Sequence, residues 1–210
     1  ILLNRALVED PEDPDVTAGY ILLSLGLKRL LKVDSQDALT AMDQLGTLSF
    51  WGVPEIAMEN YRLAVEGEVE QALSLSLEQI QSLPGATRQV RQECVGGFRN
   101  NSRMNGVALQ TLLDISGVGP DARRAVFHCA DGYHSSLELS ELLDREAFLA
   151  YGINDQQIPK FGYPLRLVAP GKYGYQWAKW VRRIELVADQ RKGHWTQLGL
   201  PDRGDVGDIW

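Results

Sequence analysis

The stretch GYPLRLVAPGKYGYQWAKWVRRIEL, residues 162–186, holds one segment that reads as a short strand, 164–169, and most of a second, 179–187. A loop through Lys172, Tyr173, Gly174 and Gln176 joins them. Working outward, other short elements come into view. Residues 61–70 alternate like a strand and turn at Gly67, and Ser76 with Gln79 three positions on forms a capping box for a short helix over 76–84. Residues 87–94 are strand-like, 109–115 make a helix with Leu109, Leu112 and Leu113 inward, and 125–129 is a buried strand. Short strands separated by turns and brief helices, with no regular strand–helix alternation, predict a mixed α+β domain and not a doubly wound parallel sheet.

At 210 residues and 44% hydrophobic content the chain can build a substantial core. Its formal net charge of -7 argues against a nucleic-acid partner, because phosphate neutralisation needs clustered cations without an acidic excess. Two cysteines, Cys94 and Cys129, are too few for a disulfide scaffold and show no metal-binding CxxC repeat. The longest apolar stretch, 20–33, is broken by Lys28 and Arg29 and falls short of a membrane span, so no transmembrane segment is expected. It reads instead as an amphipathic helix capped by Asp15 or Thr17, entered from an acidic, proline-bearing arm over 8–16. A second short helix is expected over 34–46, capped by Asp34 or Ser35, with Leu39, Met42 and Leu45 on one face. The expected division is an N-terminal helical arm, residues 1–50, suited to docking, and a catalytic-type domain, residues 51–210. The chain opens on Ile1, which reads as a processed start and leaves the periplasm or an organelle such as the chloroplast as expected compartments.

Cys94 sits in VRQECVGGFRN, residues 90–100, with Arg91, Arg99 and Arg103 close by in sequence. Cationic neighbours favour a thiolate, and thiolate is a soft metal ligand. Metal ligation or redox chemistry, a packed thiol and a nucleophile all stay open on residue chemistry alone. Cys129, in an apolar strand, reads as a packed thiol. His128 and His134 are candidate proton-transfer groups or plain strand histidines.

The ordered series PEIAMENYRLAVEGEVEQALSLSLEQIQSLP (54–84), ADGYHSSLELSELLD (130–144), LAYGINDQQIP (149–159), the 162–186 stretch and then GHW (193–195) resembles the oxidoreductase molybdopterin-binding domain. This is the sulfite-oxidase family, which also includes protein-methionine-sulfoxide reductases, and the resemblance covers about 54–210. It implies the sulfite-oxidase-type α+β fold. It implies Cys94 as the single protein ligand to molybdenum, the other sulfurs coming from the molybdopterin. Arg166 and Lys179 match cofactor-contacting positions, and Lys172, Tyr173, Gly174 and Gln176 belong to the loop whose backbone amides would meet the phosphate. The Cys94-to-Met104 spacing resembles the short cysteine loop of the sulfoxide-reductase branch.

Departures from the family pattern fall on polar contacts: Phe161 stands where many members have His, Met104 where Trp is common, and Leu200 where a substrate-side Tyr is usual. Three readings follow. One is a molybdenum oxidoreductase moving an oxygen atom to or from sulfur or nitrogen, on a sulfite- or sulfoxide-type substrate. Another is a cofactor-free relative serving as a peripheral subunit of a membrane electron-transfer complex, photosynthetic complexes included, with a redox partner or larger assembly held through residues 1–50. The third is a module that binds another small anion in the same pocket.

Overall fold

In the computed structural model of the chain, residues 38–49 and 52–208 are described. In chain order the strands are β1 (Leu63–Gly67), β2 (Leu73–Leu75), β3 (Gly85–Glu93), β4 (Arg99–Ala108), β5 (Arg124–Cys129), β6 (His134–Glu138), β7 (Phe148–Ile153), β8 (Gln156–Gln157), β9 (Arg166–Val168) and β10 (Val181–Val187). The α-helices are α1 (Leu77–Gln81), α2 (Leu109–Ser116), α3 (Leu139–Asp144) and α4 (His194–Gln197). Two sheets form, one in the order β2-β1-β10-β5-β6 and one in the order β3-β4-β7-β8 with β9 also on β7. Among the described residues β1 and β10 form the one parallel ladder, and the other ladders are antiparallel. This is the expected α+β class.

Local chemistry accounts for several elements. The Ser76 hydroxyl accepts from the Gln79 amide at 3.2 Å while the Gln79 side chain accepts from the Ser76 amide at 2.8 Å, so the capping box starts α1 as predicted. In α2, Leu109, Leu112 and Leu113 are fully buried, each contributing about 2 kcal/mol of burial free energy. They join one apolar core shared with Leu63, Val65, Phe127, Phe148 and Ile184.

Other expectations need correction. The helix expected over 34–46 appears, among its described residues, only as a 3-10 turn at Met42–Gln44. Its other described residues run extended at Ala41 and Leu45 and hydrogen-bond to β4: Thr40 N–H donates to Asn101 O at 2.7 Å, and Gly46 N–H to Asn100 Oδ1 at 2.9 Å. The helix over 20–33, the arm over 8–16 and their caps lie outside the described residues. Strand β4, the longest of the fold, was not expected at all. Its inward residues include Asn100, Ser102 and Met104, so it lacks the apolar alternation that marks a half-buried strand. Among the described residues no helix is long and apolar enough to cross a membrane.

Candidate functional site

Cys94 directly follows β3, where the chain turns back into β4. The turn is closed by Cys94 N–H donating to Phe98 O at 2.9 Å and Gly97 N–H to Cys94 O at 3.0 Å. Gly97 has φ +99°, a backbone setting that L side chains resist, so the second glycine is required by the turn itself. The Gly96 N–H points at the Cys94 sulfur, 3.3 Å away. The thiol is buried despite its polar sequence neighbours. Arg91 and Arg99 both reach Glu93, at 3.0 and 3.2 Å, so the cations flanking the cysteine in sequence share one carboxylate.

Arg166 and Lys179 are cross-strand partners in an antiparallel bridge, which places both side chains on one face. The next residue, Trp180, is fully buried with φ +54°, an uncommon and costly setting for a bulky residue. Its indole N–H donates to Lys160 O at 2.8 Å, and the Lys179 ammonium lies 4.6 Å from the ring centroid. Arg166 is 7% exposed. Among the described residues its guanidinium has no hydrogen-bond or ion-pair partner, and its buried Nε is unsatisfied. Burial alone pushes its pKa down to about 10. Burial, and then the neighbouring Arg166 charge, bring Lys179 down to about 8. Asp131, Cys129 and Cys94 act on Lys179 in the opposite sense, so the lysine lies within the electrostatic reach of both cysteines and of Arg166. Its ammonium donates to Leu48 O and to Thr47 Oγ1, the latter at 3.3 Å.

The loop after β9 is placed differently from its sequence reading. The Lys172 ammonium, 1% exposed, is held by Glu141 and by Asp205 at 2.8 Å, so its charge is already neutralised. Three of the loop amides are engaged within the fold: Lys172 N–H with Ala169 O, Tyr173 N–H with Gly204 O, and Gln176 N–H with Tyr173 O. The Gln176 side chain donates to Asp202 O at 2.8 Å. Free phosphate donors are therefore not what these residues present. They anchor the chain end: Val95, Tyr173 and Tyr175 form a small second core with Trp195 and Leu200. Tyr173 also bridges to Glu93, one residue before the cysteine, which brings Gly174 against the same strand end.

Of the other candidates, Phe161 is 38% exposed beside Lys160, and Met104 is buried in β4. Cys129 packs on the main core, where burial raises its pKa. His128 and His134 pair across β5 and β6 with His194 beyond them, ring centroids 6.3 and 6.2 Å apart, and His128 meets Glu185 at 2.9 Å. They associate with each other and not with the Cys94 group. Thr47, Leu48 and Trp180 were not legible as site residues, because no sequence signal marks a backbone carbonyl or a left-handed tryptophan.

A buried thiol, a buried cation without a partner among the described residues and a half-buried one beside it suit a soft metal and an anion on one ligand. Comparison with known proteins identifies the family. Residues 50–195 match the family model described as the oxidoreductase molybdopterin binding domain. An uncharacterized oxidoreductase, YuiH, of Bacillus subtilis is 31% identical over 70% of this chain and 76% of its own length. The protein-methionine-sulfoxide reductase catalytic subunit MsrP of Campylobacter jejuni is 32% identical over 72% of this chain. Among solved structures, the sulfane dehydrogenase SoxCD of Paracoccus pantotrophus superposes with a TM-score of 0.62 at 29% identity over 66% of this chain. The chain spans 57% of the length of that reductase and 41% of the Paracoccus chain.

Proposed function

The chain belongs to the oxidoreductase molybdopterin-binding family, and on that premise we propose that it holds a molybdenum–molybdopterin cofactor, with Cys94 as the protein's sulfur ligand and Arg166 and Lys179 on the cofactor phosphate. One observation carries this reading: the buried guanidinium of Arg166, without a partner among the described residues, on the same face as Lys179. A fold tolerates such a charge where an anion completes it. When bound, the molybdenum centre supplies two-electron redox chemistry that moves an oxygen atom to or from sulfur or nitrogen.

The chain's own residues bind and orient. The Cys94 turn fixes the sulfur, and the Gly96 N–H donates to it. Arg166 offers a planar fork matched to phosphate oxygens, while Lys179 adds a compact point charge. Burial of Arg166 and partial burial of Lys179 limit competing water and strengthen their hold on an anion. The substrate class that follows is a small sulfur oxyanion or a sulfoxide. A cofactor-free structural role, with attachment to a redox partner or larger complex through residues 1–50, is the second reading; the engagement of Lys172, Tyr173 and Gln176 within the fold favours it.

Metal and pterin content separates the two. Chain produced alongside cofactor synthesis should carry molybdenum and pterin in equal amounts. Cys94→Ala should lose turnover and alter the metal spectrum, and Cys129→Ala should do neither. A wild-type chain without pterin, under conditions that load another family member, would overturn the enzyme reading in favour of the structural one.

A further inference from the structure

The segment 38–48 is tied to the domain at three places. Thr40 exchanges hydrogen bonds with Asn101, its N–H donating at 2.7 Å and its hydroxyl accepting from Asn101 N–H at 3.0 Å, while its carbonyl accepts from Asn154 Nδ2 at 3.0 Å. Gly46 is clasped by Asn100, which accepts from its N–H at 2.9 Å and donates to its carbonyl at 2.8 Å. Thr47 and Leu48 then take the Lys179 ammonium. Between these ties the segment lies on the cysteine turn. A Cβ at Gly46 would stand 2.5 Å from the Phe98 ring, and the Phe98 carbonyl is the acceptor of Cys94 N–H.

We propose that residues 38–48 form a strap that latches Lys179 and covers the cysteine turn, and that an oxyanion bound by Arg166 and Lys179 releases it. The inference rests on the reading of those two cations as the phosphate clamp. The physical reason is competition for donors. An ammonium has three N–H groups, and two are committed to neutral oxygens of the strap. A dianion offers charge-assisted hydrogen bonds, roughly twice as strong as neutral ones, and it alone satisfies Arg166 at the same time. Binding at the two cations therefore draws Lys179 off Thr47 and Leu48. The remaining ties at Thr40 and Gly46 are neutral and at most half-buried, so the strap loosens once its charged tie is gone. Anion binding and strap docking then compete for the Lys179 ammonium, and each weakens the other by the same factor.

The test uses the full chain purified without cofactor and inorganic sulfate as the probe, with chloride at matched ionic strength as control. Sulfate binding is measured by calorimetry, and hydrogen exchange is read at the Thr40 and Gly46 amides. Iodoacetamide labelling of Cys94 is followed in a Cys129→Ala background. In chloride both amides are protected and labelling is slow; saturating sulfate speeds exchange and labelling by about tenfold or more, the shift expected when a ligand binds only the open state. Gly46→Val, which cannot seat against Phe98, labels fast without sulfate and binds sulfate more tightly. Thr40→Val, a milder loosening of the strap, moves both readouts in the same direction. Arg166→Met binds no sulfate and keeps the strap protected. Sulfate binding with unchanged or increased protection would overturn the latch alone and leave the clamp reading standing. Failure of wild type to bind sulfate would overturn both, and wild-type labelling and affinity in the two strap variants would overturn the latch by a separate route.

Discussion

Replacing Arg166 by Met should stabilise the cofactor-free chain and destroy its anion site in the same stroke. The side chain is 7% exposed and lacks a partner among the described residues, so its charge has lost most of its water and its Nε has gained nothing in return. Burial lowers its pKa from the ordinary guanidinium value to about 10; at about 1.36 kcal/mol per pKa unit, that is about 3 kcal/mol against the charged form. Methionine keeps most of the aliphatic stem and its packing, so the net gain should be about 1–3 kcal/mol, in the range seen when buried ions are replaced by apolar residues. For a domain of this size each kcal/mol moves the midpoint by about 2–4 °C, which predicts a Tm rise of about 2–12 °C. The assay is thermal unfolding followed by circular dichroism in chloride buffer, repeated with sulfate. Sulfate should raise the wild-type midpoint by mass action and leave the variant unmoved. A variant melting at or below wild type in chloride would refute the reasoning, since it would mean that the guanidinium is compensated after all.

Sulfate affinity should be flat below pH 8 and fall as pH rises through it, because burial and the Arg166 charge hold the Lys179 pKa near about 8 and its neutral form no longer attracts the anion; calorimetry across pH 6–9.5 checks this, and a pH-independent affinity would remove Lys179 from the clamp. Lys172→Met should destabilise by about 1–2 kcal/mol in denaturant unfolding, because it takes the buried cation from Glu141 and Asp205 and leaves them only the more exposed Arg145 and Arg203, while leaving sulfate binding intact. Removing residues 1–49 should cost about 2–4 kcal/mol more than removing 1–37, at about 1 kcal/mol for each strap hydrogen bond lost; equal melting of the two truncations would show that the strap contributes nothing at rest.

What the sequence disclosed follows from which signals are local. The capping box of α1, the leucine face of α2 and the apolar β5 depend on residues within one turn or one strand of each other, and all three are where the spacing put them. Strand β4 escaped because its inward side is polar, Asn100 and Ser102 among them, and Asn100 is there to hold Gly46 and Gln92, contacts no periodicity encodes. The same limit divides the candidate cations. Lys172, Arg166 and Lys179 look alike along the chain, yet the carboxylates that decide their roles come from elsewhere: Glu141 lies 31 positions before Lys172, and none reaches Arg166 among the described residues. A fold able to bury Lys172 against two carboxylates faces no general obstacle to pairing a second cation. That, among the described residues, it leaves Arg166 without a partner and gives Lys179 the neutral oxygens of Thr47 and Leu48 separates a structural cation from the two that the proposed anion clamp would use. The distinction rests on partners distant in sequence, so it emerges only once the chain is folded.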